Sequence, residues 1–167
     1  MELKILIFKI LFNSLVLTLL LFNIVNAYAK NITIYGKAKV VDGDTIHIDQ
    51  HKIRLYGIDA PEKNQKCIYN NKDWECGIYS TNALIKLINN NEVKCQSNDI
   101  DRYKRFIAIC FVEKSEINKL MVKNGWALAY RYYSRAYIDE EFIAKKNKLG
   151  IWKGQFEEPY KFRKKNK

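Results

Sequence analysis

Hydrophobic and polar positions along this chain fall into two alternating rhythms. Residues 32–41, 45–49 and 52–56 are rich in β-branched and aromatic side chains with partial alternation, which predicts three strands of a meander. Asp42-Gly43 and Asp49-Gln50-His51 separate them, Asp-Gly being a frequent turn pair. From Gly77 to Asn90 the rhythm changes. Ile78, Leu84, Leu87 and Ile88 recur near helical spacing, and an asparagine run ends the segment. Residues 92–96 and 105–112 return to strand character. Ser115 opens a second helix with Ile117, Leu120 and Met121 on one side, stopped by Gly125. A third runs from Ile138 to Leu149, with acids in its first turn and lysines in its last, and Gly150 closes it. The tail from Lys161 is basic and is expected to be frayed.

Five short strands, a helix after the third and further helices at the end predict an α+β fold. The expected architecture is a five-stranded OB-fold β-barrel, the oligonucleotide-binding barrel, with about three helices packed on it.

Residues 1–29 stand apart. Lys4 and Lys9 precede an apolar run over residues 10–25, and Ala27-Tyr28-Ala29 has the small-x-small form of a signal-peptidase site. This pattern predicts a signal peptide cut after Ala29 and export to the periplasm or the medium. An uncleaved membrane anchor is the alternative, because the run approaches the roughly 20 residues that span a bilayer. Cleavage leaves residues 30–167, enough for one compact domain over 30–157 followed by a basic tail, 158–167.

The chain has 29 Lys plus Arg against 18 Asp plus Glu, a net charge of +11. Losing the leader, with Lys4, Lys9 and Glu2, lowers this only to +10. Such a surplus favours anionic partners, nucleic acid before anionic lipid. All four cysteines, Cys67, Cys76, Cys95 and Cys110, lie beyond the leader. In an oxidising compartment they read as two disulfides with three connectivities open. The favoured pairing is Cys67–Cys76 across one loop and Cys95–Cys110 across neighbouring strands. No Cys-x-x-Cys pair exists, which argues against zinc.

Candidate chemistry sits in two stretches, residues 54–62 and 101–105. Only six residues of the chain are arginine, and Arg54, Arg102 and Arg105 lie in these stretches. A guanidinium forks onto phosphate oxygens as an ammonium cannot. Asp44 follows a turn glycine and Asp59 closes the third predicted strand, so a meander brings both carboxylates to one rim. Such oxygens suit a hard divalent cation, calcium above all. Glu62, past the stiffening Pro61, is placed to take a proton from water. Each signal alone is weak, since Asp-Gly-Asp is also an ordinary hairpin turn and exposed arginines form cheap salt bridges. Their conjunction is specific.

From about Ile34 to Trp152 the chain resembles the thermonucleases of the staphylococcal nuclease type. The resemblance is carried by Asp42-Gly43-Asp44-Thr45, by Arg54-Leu55 with Asp59-Ala60-Pro61-Glu62, by residues 101–105 and by Leu149-Gly150-Ile151-Trp152. It implies a calcium-dependent hydrolase of DNA and RNA with little sequence preference, leaving 3′-phosphate ends. Asp44 and Asp59 match the family's metal carboxylates. Ala60 stands where threonine is usual, but the ligand there is the backbone carbonyl. Glu62 matches the proposed general base, and Arg54 and Arg105 the two phosphate-binding arginines. Tyr103, Tyr130 and Tyr132 match tyrosines of the nucleotide pocket, the last two across a one-residue gap, and Arg102 is grouped with them as a substrate contact. Lys104 replaces a common glycine, which leaves the shape of that turn open. The cysteines are an addition suited to export.

No protein partner is implied, and a monomer is expected. Two other functions compete: a non-catalytic nucleic-acid-binding barrel, and a cationic protein tethered at the membrane surface. Retention of Asp44, Asp59, Glu62 and both arginines argues against the first, because binding alone needs no metal acids. Sedimentation of the mature form with anionic vesicles in physiological salt would support the second.

Overall fold

The computed structural model describes residues 31–166 and, in isolation, Ser14. Apart from Ser14 the expected leader lies outside the described residues. Among the described residues, no helix is long and apolar enough to cross a membrane.

The chain runs β1 (Ile32–Val40), β2 (Thr45–Ile48), β3 (His51–Leu55), β4 (Ile58–Asp59), β5 (Cys67–Tyr69), β6 (Lys72–Trp74) and α1 (Cys76–Ile88). It continues through β7 (Glu92–Ile100), β8 (Phe106–Val112), β9 (Ser115–Glu116), α2 (Ile117–Lys123), β10 (Leu128–Ala129) and α3 (Ile138–Lys146). A 3₁₀ turn (Gly150–Lys153) and α4 (Pro159–Lys165) follow.

The first three strands form the expected antiparallel meander. β1 also pairs with β7, and β7 with β8. β8 then returns to β3 in parallel, with Ile53 beside Phe106 and Arg54 beside Ile107, which closes a five-stranded barrel. Closure removes the open edges that a flat sheet would expose. Alternation sends Ile46, Ile48, Ile53, Leu55, Val93 and Ala108 inward, where all are buried. Leu84 and Ile88 of α1, with Ile117, Met121 and Val122 of α2, complete this core. Each fully buried isoleucine contributes roughly 1.5–3 kcal/mol of transfer free energy, so the apolar face of α1 is held by packing more than by its intrinsic propensity.

Both disulfides form in the favoured pairing. Cys67–Cys76 has a Cα–Cα distance of 5.6 Å, and Cys95–Cys110 joins directly opposed residues of β7 and β8 at 4.1 Å. They close chain separations of 9 and 15 residues. Loops of that size are worth roughly 3 kcal/mol each in the chain-entropy account.

Three features depart from the sequence reading. β5 and β6 form a hairpin that periodicity does not announce; both residues at its tip, Asn70 and Asn71, take positive φ (51° and 59°), as a tight type I′ turn requires. Asp59 lies in the separate strand β4 instead of ending the third strand, because Gly57 turns the backbone at φ 73°. The tail expected to fray is the helix α4. A helix of 7 residues is too short to stand alone in water, so tertiary contacts must hold it. Buried Pro159 opens it and three basic side chains fill its last turn, which suits the macrodipole. Just before it, Gln155 and Ile68 exchange backbone hydrogen bonds of 2.8 Å each way. The buried Gln65 amide donates to the Glu157 carbonyl at 2.7 Å.

Candidate active site

The barrel's closing strands and α1 converge on one rim. Gly43 lies so close to α1 that a Cβ there would stand 2.1 Å from the Ser80 hydroxyl and 2.7 Å from the Ala60 Cβ. Only glycine lets Asp44, just before β2, lie tight against the segment carrying Asp59 and Ala60. That segment is fixed in turn by pairing between Asp59 of β4 and Leu128 of β10. Glu62 follows on a loop that rests on the start of α1. A Cβ on Gly77 would fall 1.7 Å from the Glu62 carbonyl oxygen. Gln65 braces this loop, accepting from the Glu62 amide at 3.2 Å while its own amide reaches Glu157.

These constraints gather Asp44, Arg54, Asp59, Ala60 and Glu62, as the sequence predicts. Arg54 donates one guanidinium nitrogen to Asp44 Oδ1 at 2.7 Å and the other to Asp59 Oδ1 at 3.0 Å. The Thr45 hydroxyl also donates to Asp44 Oδ1, and the Ala60 amide donates to Asp44 Oδ2, each at 3.0 Å. Asp42, read from sequence only as a turn residue, accepts from the Asp44 amide at 2.9 Å. It belongs to the acid cluster.

A second guanidinium enters the cluster from α4, one that sequence reasoning missed. Arg163 donates to Asp59 Oδ1 at 2.6 Å and to Glu62 Oε1 at 2.8 Å. One signal pointed to it: like Arg54, it is a scarce arginine, set in the lysine-rich run Lys161-Phe162-Arg163-Lys164-Lys165.

Four acids, Asp42, Asp44, Asp59 and Glu62, thus face two guanidiniums. Burial, with Asp44 and Glu62 nearby, pushes the Asp42 carboxyl up to about 7. Burial and Asp44 push Asp59 up to about 6, against the pull of Arg163 and Arg54. Burial works against the charge on Arg54, but Asp44 and Asp59 outweigh it and hold that guanidinium more firmly protonated than usual. With every carboxyl ionised the four acids would exceed the two guanidiniums by two charges, and the raised Asp42 and Asp59 show the strain of that surplus. The atoms the acids offer a cation are all oxygen. Among the described residues, no three His, Cys, Asp or Glu side chains form a complete cation cage. A hard cation here would therefore draw on the Asp44 and Asp59 carboxylates, the Ala60 carbonyl, water and substrate oxygens, a set that fits calcium.

Arg105 sits differently. The register sets Ile107 of β8 beside Arg54, so Arg105 leads into β8 two residues upstream. Its side chain is held by Asp101, with Nε 2.8 Å and Nη2 2.7 Å from Oδ2. Backbone and side-chain hydrogen bonds from Arg105 outweigh burial and keep the Asp101 carboxyl below its ordinary value. Among the described residues, Arg105 makes no ion pair with Asp44, Asp59 or Glu62. Lys104 adopts φ 61°, the left-handed conformation that glycine takes freely, so the turn keeps a glycine-like shape. Tyr103 is exposed, with the guanidiniums of Arg102 and Arg105 at 4.9 and 5.5 Å from its ring centre.

Tyr130 is half-buried near the acids; burial and Asp59 raise its phenol above the ordinary value. Tyr132 is 82% exposed, its ring 6.4 Å from that of Tyr130 and 4.9 Å from that of Tyr133. The rings form an open aromatic surface beside the acid cluster.

Comparison with known proteins identifies relatives of this chain. Residues 52–154 match the family described as staphylococcal nuclease homologue. The chain is 34% identical over 126 residues to a succinoglycan biosynthesis protein, ExoI, of Rhizobium meliloti, covering 73% of this chain and 66% of that one. It is 33% identical over 151 residues to an uncharacterized endonuclease of Haemophilus influenzae, covering 86% and 78%. It is 29% identical over 147 residues to a micrococcal nuclease of Shigella flexneri, covering 77% and 79%. The family match takes in β3, β7 and β8 of the barrel and α1 to α3, and the chain belongs to the family of staphylococcal nuclease homologues.

Proposed function

We propose that the protein is an exported, calcium-dependent nuclease that hydrolyses phosphodiester bonds of DNA and RNA with little sequence preference, leaving 3′-phosphate ends. One observation carries this reading. The half-buried Arg54 guanidinium is shared between two buried carboxylates, Asp44 and Asp59, inside a cluster whose acids outnumber its bases and which Glu62 joins just past Pro61. A binding surface for polyanions has no use for such an acid surplus, which repels phosphate unless a cation offsets it.

In this reading Asp44, Asp59 and the Ala60 carbonyl would hold calcium, which would supply Lewis-acid polarisation of a phosphoryl oxygen. Glu62 takes a proton from the attacking water, whose oxygen bonds to phosphorus as the bond to the 5′ oxygen breaks in line. The departing 5′ oxygen is protonated from solvent. Arg54 and Arg105 neutralise the negative charge gained by the phosphoryl oxygens at the transition state. Tyr103, Tyr130 and Tyr132 offer faces on which bases stack whatever their identity. Export is supported by the disulfides, which use all four cysteines and persist in oxidising compartments.

Incubating the protein with supercoiled plasmid and with RNA, in calcium and in chelator, tests the proposal. Calcium-dependent loss of both substrates is expected, with turnover in Glu62→Gln reduced by about two orders of magnitude or more. Undiminished cleavage in chelator rejects it.

A further inference from the structure

Arg163 lies beyond the stretch matched by the family, which ends at residue 154, and it belongs to a terminal helix instead of the barrel. Yet its guanidinium reaches the centre of the acid cluster. It shares Asp59 Oδ1 with Arg54, at 2.6 Å and 3.0 Å, and adds Glu62 at 2.8 Å. The delivery is built: Pro159 is buried, and the buried Gln65 side chain ties Glu157 to the Glu62 loop.

Building on the proposed nuclease function, we propose that Arg163 is a third phosphate-binding guanidinium of the site, parked on Asp59 and Glu62 until cation and substrate arrive. The argument is one of charge and anchoring. A divalent cation on Asp59 would sit beside two guanidiniums that share one of its oxygens, and like charges at that spacing repel strongly in a partly dry site. Arg54 rises from a barrel strand with its side chain 13% exposed, whereas Arg163 is 30% exposed on a helix of only 7 residues. Arg163 is therefore the one that yields. The scissile phosphodiester is the anion that arrives with the cation, and a planar fork suits its oxygens. Release of Arg163 also frees Glu62 to face water.

Arg163 then opposes cation binding yet favours turnover, so its loss should strengthen the first and weaken the second. Calcium binding by the full chain without nucleotide is measured by calorimetry, and cleavage of a labelled oligonucleotide by steady-state kinetics. For Arg163→Gln we expect calcium to bind about tenfold more tightly while kcat/KM falls by about 100-fold. Arg163→Lys keeps the charge without the fork; its calcium affinity stays near wild type and its kcat/KM falls by about tenfold. Lys164→Gln, on the same helix, behaves as wild type. If Arg163→Gln does not fold, the lysine variant carries the test.

Weaker or unchanged calcium binding in Arg163→Gln overturns the proposal, since a residue that only props up the acids would weaken it. Unchanged or raised turnover overturns it too, the latter marking α4 as a plug. Inactivity of the wild type on every substrate overturns the nuclease reading with it, whereas wild-type activity with an indifferent Arg163→Gln overturns only the role of Arg163.

Discussion

Arg54 and Arg105 are assigned the same task by sequence, yet they occupy opposite settings. Arg54 is largely shielded on a barrel strand, its side chain 13% exposed, and splits its guanidinium between two acids from different parts of the chain. Arg105 is paired with Asp101 four residues away, in a turn that also leaves Tyr103 exposed. The first arginine is part of the architecture, because Asp44 and Asp59 could not lie side by side out of water without it. The second is spare, since its partner is local and partly solvated. A phosphate can capture Arg105 at little cost, whereas drawing Arg54 away requires another cation to replace it.

Substitutions should separate the two arginines by stability and by turnover. Arg54→Ala should have the largest effect, costing about 3 kcal/mol of stability by chemical denaturation without calcium as well as most activity. Saturating calcium should recover part of the stability and none of the turnover. Arg105→Ala should lower kcat by about 100-fold while changing stability by less than about 1 kcal/mol. Equal destabilisation by the two substitutions would erase the distinction. Gln65→Ala tests how the Glu62 loop and α4 are coupled. It leaves the Glu62 amide and the Glu157 carbonyl without their partner and should cost about 1–3 kcal/mol, with Arg163 losing its register on the acids. Limited proteolysis near residue 158 should then accelerate. Lys104→Gly should have the smallest effect, stabilising the protein by at most about 1 kcal/mol through relief of the left-handed backbone. Thermal unfolding would register it, and destabilisation would mean that the lysine side chain compensates for its strain.

Much of the barrel is legible in the sequence because its strands are short, rich in β-branched residues and half-buried, so each carries its own alternation. The helix at residues 76–88 is readable for the same reason, with one apolar face. What escapes is whatever depends on contacts distant in sequence. The β5–β6 hairpin has little apolar pattern, and a disulfide and paired left-handed asparagines hold it instead. α4 reads as a frayed tail because its stability comes from Gln65 and from acids about a hundred positions earlier. Asp44, Arg54, Asp59 and Glu62 are visible as a set since their spacing is local to the meander. Arg163 is visible only to someone asking why an arginine appears among lysines.

In the proposed function, the surplus of acids around Asp44 and Asp59 receives a divalent cation at the site of phosphodiester cleavage. Thermal unfolding of the disulfide-intact protein, with calcium and with chelator, measures this through linkage, a ligand at 100 times its Kd adding about 2.7 kcal/mol. The wild type should unfold at a clearly higher temperature in calcium, and Asp44→Asn should show no such rise. A wild type indifferent to calcium, or a rise that survives in Asp44→Asn, would contradict the account.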